Sequence, residues 1–284
     1  MDYVNSEALV STEWLAEHLN APDLRIVDAS WYLPAMNRDG KAEYARQHIP
    51  GAVFFDIDEI SDTASDLPHM LPSPEKFASR MRTLGIGDGN RIVVYDGSGV
   101  HLSAPRVWWM FRVFGHEDVA VLNGGFGKWL AEGRPVEDLP PLPRDRHFTA
   151  RRNDLLVRDV EQVRGNLGSH REQVVDARSA GRFAGTEAEP RAGLRGGHIP
   201  GSLSVPSSLM TDPKTGQFQS ADALRDIFTR AGVDLGKPVL TTCGSGVSAC
   251  ILTLGLHLLG HRQVSVYDGS WTEWGGRPDL PVER

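Results

Sequence analysis

The chain has 284 residues, of which 40% are hydrophobic and 24% charged, so it has the length of two domains and the composition of an ordinary soluble globular protein. A formal net charge of −7 argues against a general nucleic-acid surface or an anionic-membrane surface. Two cysteines make no disulfide framework, the polar start Met1-Asp2-Tyr3-Val4-Asn5-Ser6-Glu7 does not read as a signal peptide, and no apolar run nears the ~20 residues of a membrane span, so the expected location is cytoplasmic.

In chain order, Ser11 is placed to cap a helix running to Leu19, and Leu24–Ala29 reads as a strand. Ser73-Pro74 opens a second helix that Gly85 closes. Arg91–Asp96 is a strand, Leu102–Val113 a helix, Val119–Leu122 a strand and Gly125–Glu132 a helix. A Pro-rich, charged stretch, Leu139-Pro140-Pro141-Leu142-Pro143-Arg144-Asp145-Arg146, then reads as a semi-rigid linker. Beyond it, Gln173–Arg178 is a strand, Ser220 and Gly232 bracket a helix, Pro238–Thr242 is a strand, and a helix follows from Ser248.

The second half repeats the first. Leu24–Ala29 answers to Gln173–Arg178, and His48-Ile49-Pro50-Gly51 to His198-Ile199-Pro200-Gly201. Ile92–Gly99 answers to Val239–Gly246, and Val121–Gly125 with Trp129 to Val266–Ser270 with Trp274. Four anchors at one nearly constant offset mean duplication of a whole domain, a period far too long for a solenoid. The expected division is a domain over residues 1–138, a linker over 139–152 and a second domain over 153–284. Alternating β and α with short apolar strands implies an α/β fold in which each domain is a mostly parallel sheet flanked by helices. Pro-Gly supplies a turn in each HIPG segment, and the His reads as its anchor. Trp108, Trp109, Trp129, Trp271 and Trp274 read as core or interdomain packing.

The chemistry is expected in Cys243-Gly244-Ser245-Gly246-Val247-Ser248, between the strand ending at Thr242 and the following helix. Glycines let the backbone curl and turn N–H groups inward, and the helix adds the positive end of its dipole. A free thiol with a pKa of about 8.5 is only ~3% ionised at pH 7, and a fall to about 6.5 makes it roughly three-quarters thiolate. The loop thus suits an anionic sulfur nucleophile and equally an anionic persulfide. Cys250 falls on the apolar face of the helix and reads as core. The counterpart of Cys243 in the first copy is Asp96, which cannot carry a transferable sulfur, so the nucleophile belongs to the second copy alone.

Two further clusters stand out. Gly181–Gly193 is a glycine-rich stretch carrying Arg182 and Arg191, whose planar forks fit a carboxylate. The alternative is a solvated loop with both arginines paired to Glu187 and Glu189. Asp58 and His69 lie in a second loop region, and a carboxylate beside a His is general acid–base logic, or simply a capped loop over the core.

Cys243-Gly244-Ser245-Gly246-Val247-Ser248-Ala249 resembles the active loop of the 3-mercaptopyruvate sulfurtransferases, a branch of the rhodanese superfamily, which usually has Thr at the place of Ser248. The resemblance extends over nearly the whole chain and implies tandem rhodanese-like domains. Arg182 and Arg191 match the family's substrate-holding arginines, with Ala188 in place of the usual Pro. Asp58, His69 and Ser245 match its proposed relay. The implied reaction is sulfur transfer from 3-mercaptopyruvate through a Cys243 persulfide, cradled by the N–H groups of residues 244–248, to a thiol such as thioredoxin or to cyanide. No metal or organic cofactor is implied, and a monomer is expected. The thiosulfate branch usually has Arg and Lys after the Cys, where this chain has neutral Gly244 and Ser245; a thiosulfate sulfurtransferase and a non-turnover sulfur carrier are the alternatives. A Cys-based phosphatase would need Cys-x5-Arg, and position 249 is Ala.

Overall fold

The computed structural model describes residues 2–284. Among the described residues ten strands form two five-stranded sheets. The first contains β1 (Leu9–Val10), β2 (Leu24–Asp28), β3 (Ala52–Phe54), β4 (Arg91–Tyr95) and β5 (Val119–Leu122). The second contains β6 (Val157–Arg158), β7 (Gln173–Asp176), β8 (Leu203–Ser204), β9 (Val239–Thr242) and β10 (Val264–Tyr267). The orders are β1-β5-β4-β2-β3 and β6-β10-β9-β7-β8, the same permutation twice, and every pairing is parallel. The duplication read from the motifs is therefore a duplication of topology.

The helices are α1 (Thr12–His18), α2 (Gly40–Arg46), α3 (Pro74–Thr83), α4 (Ala104–Val113), α5 (Gly125–Ala131), α6 (Val160–Ser169), α7 (Ala180–Phe183), α8 (Ala221–Arg230), α9 (Ala249–Leu258) and α10 (Ser270–Trp274). Ser11, Ser73 and Ser220 each accept from a first-turn N–H, as their positions lead one to expect. Gly85 and Gly232, at φ +69° and +88°, follow the helices they close.

Small apolar clusters around Trp129 and around Trp271 and Trp274 fill the outer face of each sheet. A third cluster is continuous from one sheet to the other through α4 and α9, which pack together. Nearly every residue of these two helices is buried, because each is sandwiched between its own sheet and the opposite helix. Trp108 and Trp109 lie in this seam, each 1% exposed.

The HIPG histidines anchor their turns. His48 Nδ1 bonds Tyr44 O at 2.7 Å and His198 Nδ1 bonds Phe183 O at 2.9 Å, while Glu137 and Glu283 accept from Gly51 and Gly201 N–H. Several boundaries fall one or two residues from expectation, and two of them do so for one reason. The strand stops at Tyr95 and α4 begins at Ala104 because the Asp96 carboxylate takes the N–H groups of Ser103 and Ala104 at 3.0 and 2.8 Å. Leu102 and Ser103 are thereby held in the loop. The short strands β1, β3, β6 and β8 carry too few residues for any periodicity.

Candidate active site

Cys243 stands directly after the C-terminal end of the central strand β9, where open α/β sheets bind their ligands. It is 1% exposed. The loop is stapled to the start of α10: Cys243 N–H donates to Ser270 Oγ at 3.2 Å, and Trp271 and Thr272 N–H donate to the carbonyls of Cys243 and Gly244 at 2.9 and 2.8 Å. The N–H groups of residues 244 to 248 have no acceptor among the described residues, which leaves a ring of donors at the head of α9.

The two glycines serve different ends. Gly246 has φ +75°, and a Cβ there would meet Asp268 O at 2.8 Å. Gly244 needs no positive φ; a Cβ on it would lie 3.1 Å from Arg182 Nη2 and 4.0 Å from Arg191 Nη1. Both guanidiniums thus overhang the loop. Val247 is buried against the core, and Ser248 is half-buried and makes no cap bond. Cys250 is fully buried, with its Sγ 3.3 Å from Gly246 O, and burial pushes its thiol pKa up.

The arginines divide the two readings between them. Arg182 lies in the short helix α7 and its Nε and Nη2 both donate to Glu189 Oε2, at 3.1 and 2.5 Å. The other Glu189 oxygen takes Arg178 Nη1 at 2.6 Å, and Arg178 is in turn clamped by Asp176 at the end of β7. Glu187 instead accepts the Ser179 hydroxyl. Arg191 has no ion pair among the described residues; burial lowers its pKa while the charge of Cys243 opposes that. One arginine is therefore fixed by a buried carboxylate and the other is free to meet an anion.

His69 comes from the first domain. It is 6% exposed at φ +62°, with Nδ1 3.0 Å from Ser245 Oγ and Nε2 3.0 Å from Asp58 Oδ1. Asp56 fixes Asp58 by accepting its N–H, and Trp31 Nε1 donates to Asp58 Oδ2 at 3.0 Å. The bond from His69 holds the Asp58 carboxyl below the usual range. Residues 176 positions apart in sequence thus form one Ser–His–Asp chain that ends in the loop carrying Cys243.

A family model described as "Rhodanese-like domain" matches residues 11–132 and 159–277. The chain belongs to the rhodanese family. It is 47% identical over 272 residues to the human 3-mercaptopyruvate sulfurtransferase, covering 94% of this chain and 91% of that protein. It is 49% identical over 274 residues to the bovine thiosulfate sulfurtransferase, with the same coverage. The crystal structure of SseA from Escherichia coli, described as a 3-mercaptopyruvate sulfotransferase, superposes with a TM-score of 0.86 at 42% identity, covering 93% of this chain and 98% of that one.

In the N-terminal rhodanese domain the loop has closed on itself. Asp96 accepts from Ser98, Ser103 and Ala104 N–H, and Gly97 N–H is taken by Ser30 Oγ. The donors left free at 244–248 have counterparts here that are taken by the Asp96 carboxylate and by the hydroxyls of Ser30 and Ser98. Arg178, Trp31, Arg106 and Asp268 were not legible as parts of the rhodanese site. Arg178 sits just before the glycine-rich stretch, whose Glu189 was read as a partner of Arg182 or Arg191 and not of Arg178; the others give no signal.

Proposed function

We propose that this rhodanese is a 3-mercaptopyruvate sulfurtransferase working by a ping-pong mechanism. The observation that carries the donor choice is the pair of guanidiniums over a neutral Gly244-Ser245 loop, with Arg191 unpaired. A carboxylate and an adjacent carbonyl suit two forks set side by side. A dianionic donor would gain from cations within the loop, and none is there.

The Cys243 thiolate attacks the donor sulfur. The new S–S bond forms as the C3–S bond of mercaptopyruvate breaks, and the bonding pair goes to C3 as pyruvate enolate. The proton of the donor thiol passes to C3, leaving pyruvate and an anionic persulfide on Cys243. Ser245, His69 and Asp58 form the path for that proton: with Nε2–H directed at Asp58, Nδ1 accepts the Ser245 hydroxyl. The N–H groups of residues 244–248 bind the persulfide anion. A thiol such as reduced thioredoxin, or cyanide, removes the outer sulfur. The scheme uses no cofactor. Two buried free cysteines suit a reducing compartment, which the cytoplasm supplies.

The test is mass spectrometry and initial rates together. Protein treated with 3-mercaptopyruvate gains about 32 Da on the Cys243 peptide, and Cys243→Ser gains nothing and has background rates. Absence of the adduct in folded wild type overturns the proposal. Thiosulfate sulfur transfer is the second reading, because the identity to the bovine thiosulfate enzyme is as high. A higher kcat/KM with thiosulfate than with 3-mercaptopyruvate, cyanide as acceptor, would establish it. A persulfide that forms without turnover would mark a sulfur carrier.

A further inference from the structure

Arg106 lies on α4 of the N-terminal domain, with no exposed surface, yet it reaches into the catalytic domain. Its Nη1 donates to Gly246 O at 3.2 Å, in the loop beside Ser245. Its Nη2 donates to His69 O at 2.5 Å. The same Nη2 lies 2.7 Å from Asp268 Oδ1, a contact held by charge rather than by an aligned hydrogen bond. Asp268 follows β10, is 4% exposed, and its Oδ2 accepts Leu71 N–H at 2.8 Å, two residues beyond His69. One guanidinium therefore holds the backbone of the relay histidine and the backbone next to its serine partner. One carboxylate holds the far side of the histidine loop.

The duplication supplies an internal control. The position matching Asp268 in the first copy is Asn123, and Asn123 Oδ1 accepts Phe218 N–H of the other domain at 2.8 Å. This repeats the bond of Asp268 to Leu71 with the domains exchanged. Counting α4 and α9 from their first residues, Ala104 and Ala249, the position matching Arg106 is Ile251, which is buried in the shared core. On the inactive side, then, the same interdomain staple is made by a neutral amide, and the helix position matching Arg106 carries an isoleucine. Domain docking does not need an ion pair. A buried pair costs desolvation that apolar packing avoids, so its presence on one side only calls for another role. That side is the one where His69 meets Ser245.

We propose that Arg106, with Asp268, is a positioning residue that sets His69 against Ser245 across the domain seam. The inference rests on the reading of Asp58, His69 and Ser245 as the proton path. Hydrogen bonds to both flanking carbonyls fix the relative height of the two loops, and His69 is held at a left-handed φ that a free loop would avoid. A displacement of about 1 Å at such a contact is enough for a loss on the order of 10²-fold in turnover.

The test transplants the inactive arrangement into the active side as the double variant Arg106→Ile/Asp268→Asn, with Arg106→Lys as the single change that keeps the charge and loses the fork. Asn and Ile already stand at the matching positions of the other side, so the double variant is the one chosen to fold; circular dichroism and a thermal melt check it. The ring nitrogens of His69 are followed by 15N NMR, alongside steady-state kinetics with 3-mercaptopyruvate. The expected result is a kcat lower by on the order of 10²-fold with KM within about twofold, together with loss of the hydrogen-bond shift at Nδ1. In a Ser245→Ala background the Arg106 change should cost nothing further, since the contact it serves is gone. Unchanged His69 signals in a folded variant, or a full additional loss in the Ser245→Ala background, overturn the proposal. The NMR comparison stands even if wild type prefers another sulfur donor, so failure of the donor assignment is read separately from failure of this one.

Discussion

On the proposed mechanism the same backbone donors at Cys243 serve a thiolate before transfer and a persulfide after it, so the side chain can be changed without rebuilding the cradle. Cys243→Ser should melt within a few degrees of wild type while losing all persulfide formation. The arginines should separate by partner. Arg191→Met removes an unpaired fork and is expected to lower kcat/KM by about 10- to 10²-fold, the worth of a charge-assisted bond of roughly 1.5–3 kcal/mol. Glu189→Gln leaves both arginines in place but loosens Arg182 from the carboxylate shared with Arg178. It should raise KM for 3-mercaptopyruvate more than it lowers kcat, and a kcat loss at constant KM would contradict that. Asp58 is held below the usual carboxylate range by His69, so it stays ionised throughout the neutral range. Its contribution to stability is complete above about pH 4 and is lost only as pH falls through its lower folded value. His69→Gln should move the Asp58 titration upward, as read by carboxyl 13C NMR.

At the scale of one element, β2 ends on a buried acid. Asp28 is 2% exposed, accepts Ser30 N–H at 2.8 Å, and burial raises its pKa to about 6. An unfolded Asp ionises near pH 4, so between about pH 4 and 6 the folded state holds a proton that the unfolded chain has released. Stability falls as pH rises through that window, by on the order of 2–3 kcal/mol. Asp28→Asn removes the effect. The variant should melt higher than wild type at pH 8, with the difference vanishing toward pH 4, and a constant difference at both pH values would refute this.

At the scale of the molecule, α4 and α9 make one core out of two sheets. Separated halves would expose the seam of Trp108, Trp109 and the buried face of α9. Calorimetry should therefore show one unfolding transition rather than two, and Trp108→Ala should destabilise the whole transition by roughly 3–5 kcal/mol. Two resolved transitions would mean that the seam is weaker than its burial implies.

The duplication and the parallel α/β sheets were legible in the sequence, as were the loop that carries Cys243 and the stretch whose two arginines overhang it. Each is a local signal: a repeated motif, a strand–loop–helix junction, or a residue type beside glycines. The Pro and Ser caps were legible for the same reason. Tertiary structure alone decided the rest. It brought His69 to Ser245 across 176 positions, showed that Glu189 holds Arg182 and leaves Arg191 free, and placed Arg106 beneath the catalytic loop of the other domain. These depend on how two domains meet and on which of several acids is nearest. Loop closure over such separations is written in packing and desolvation, not in spacing along the chain.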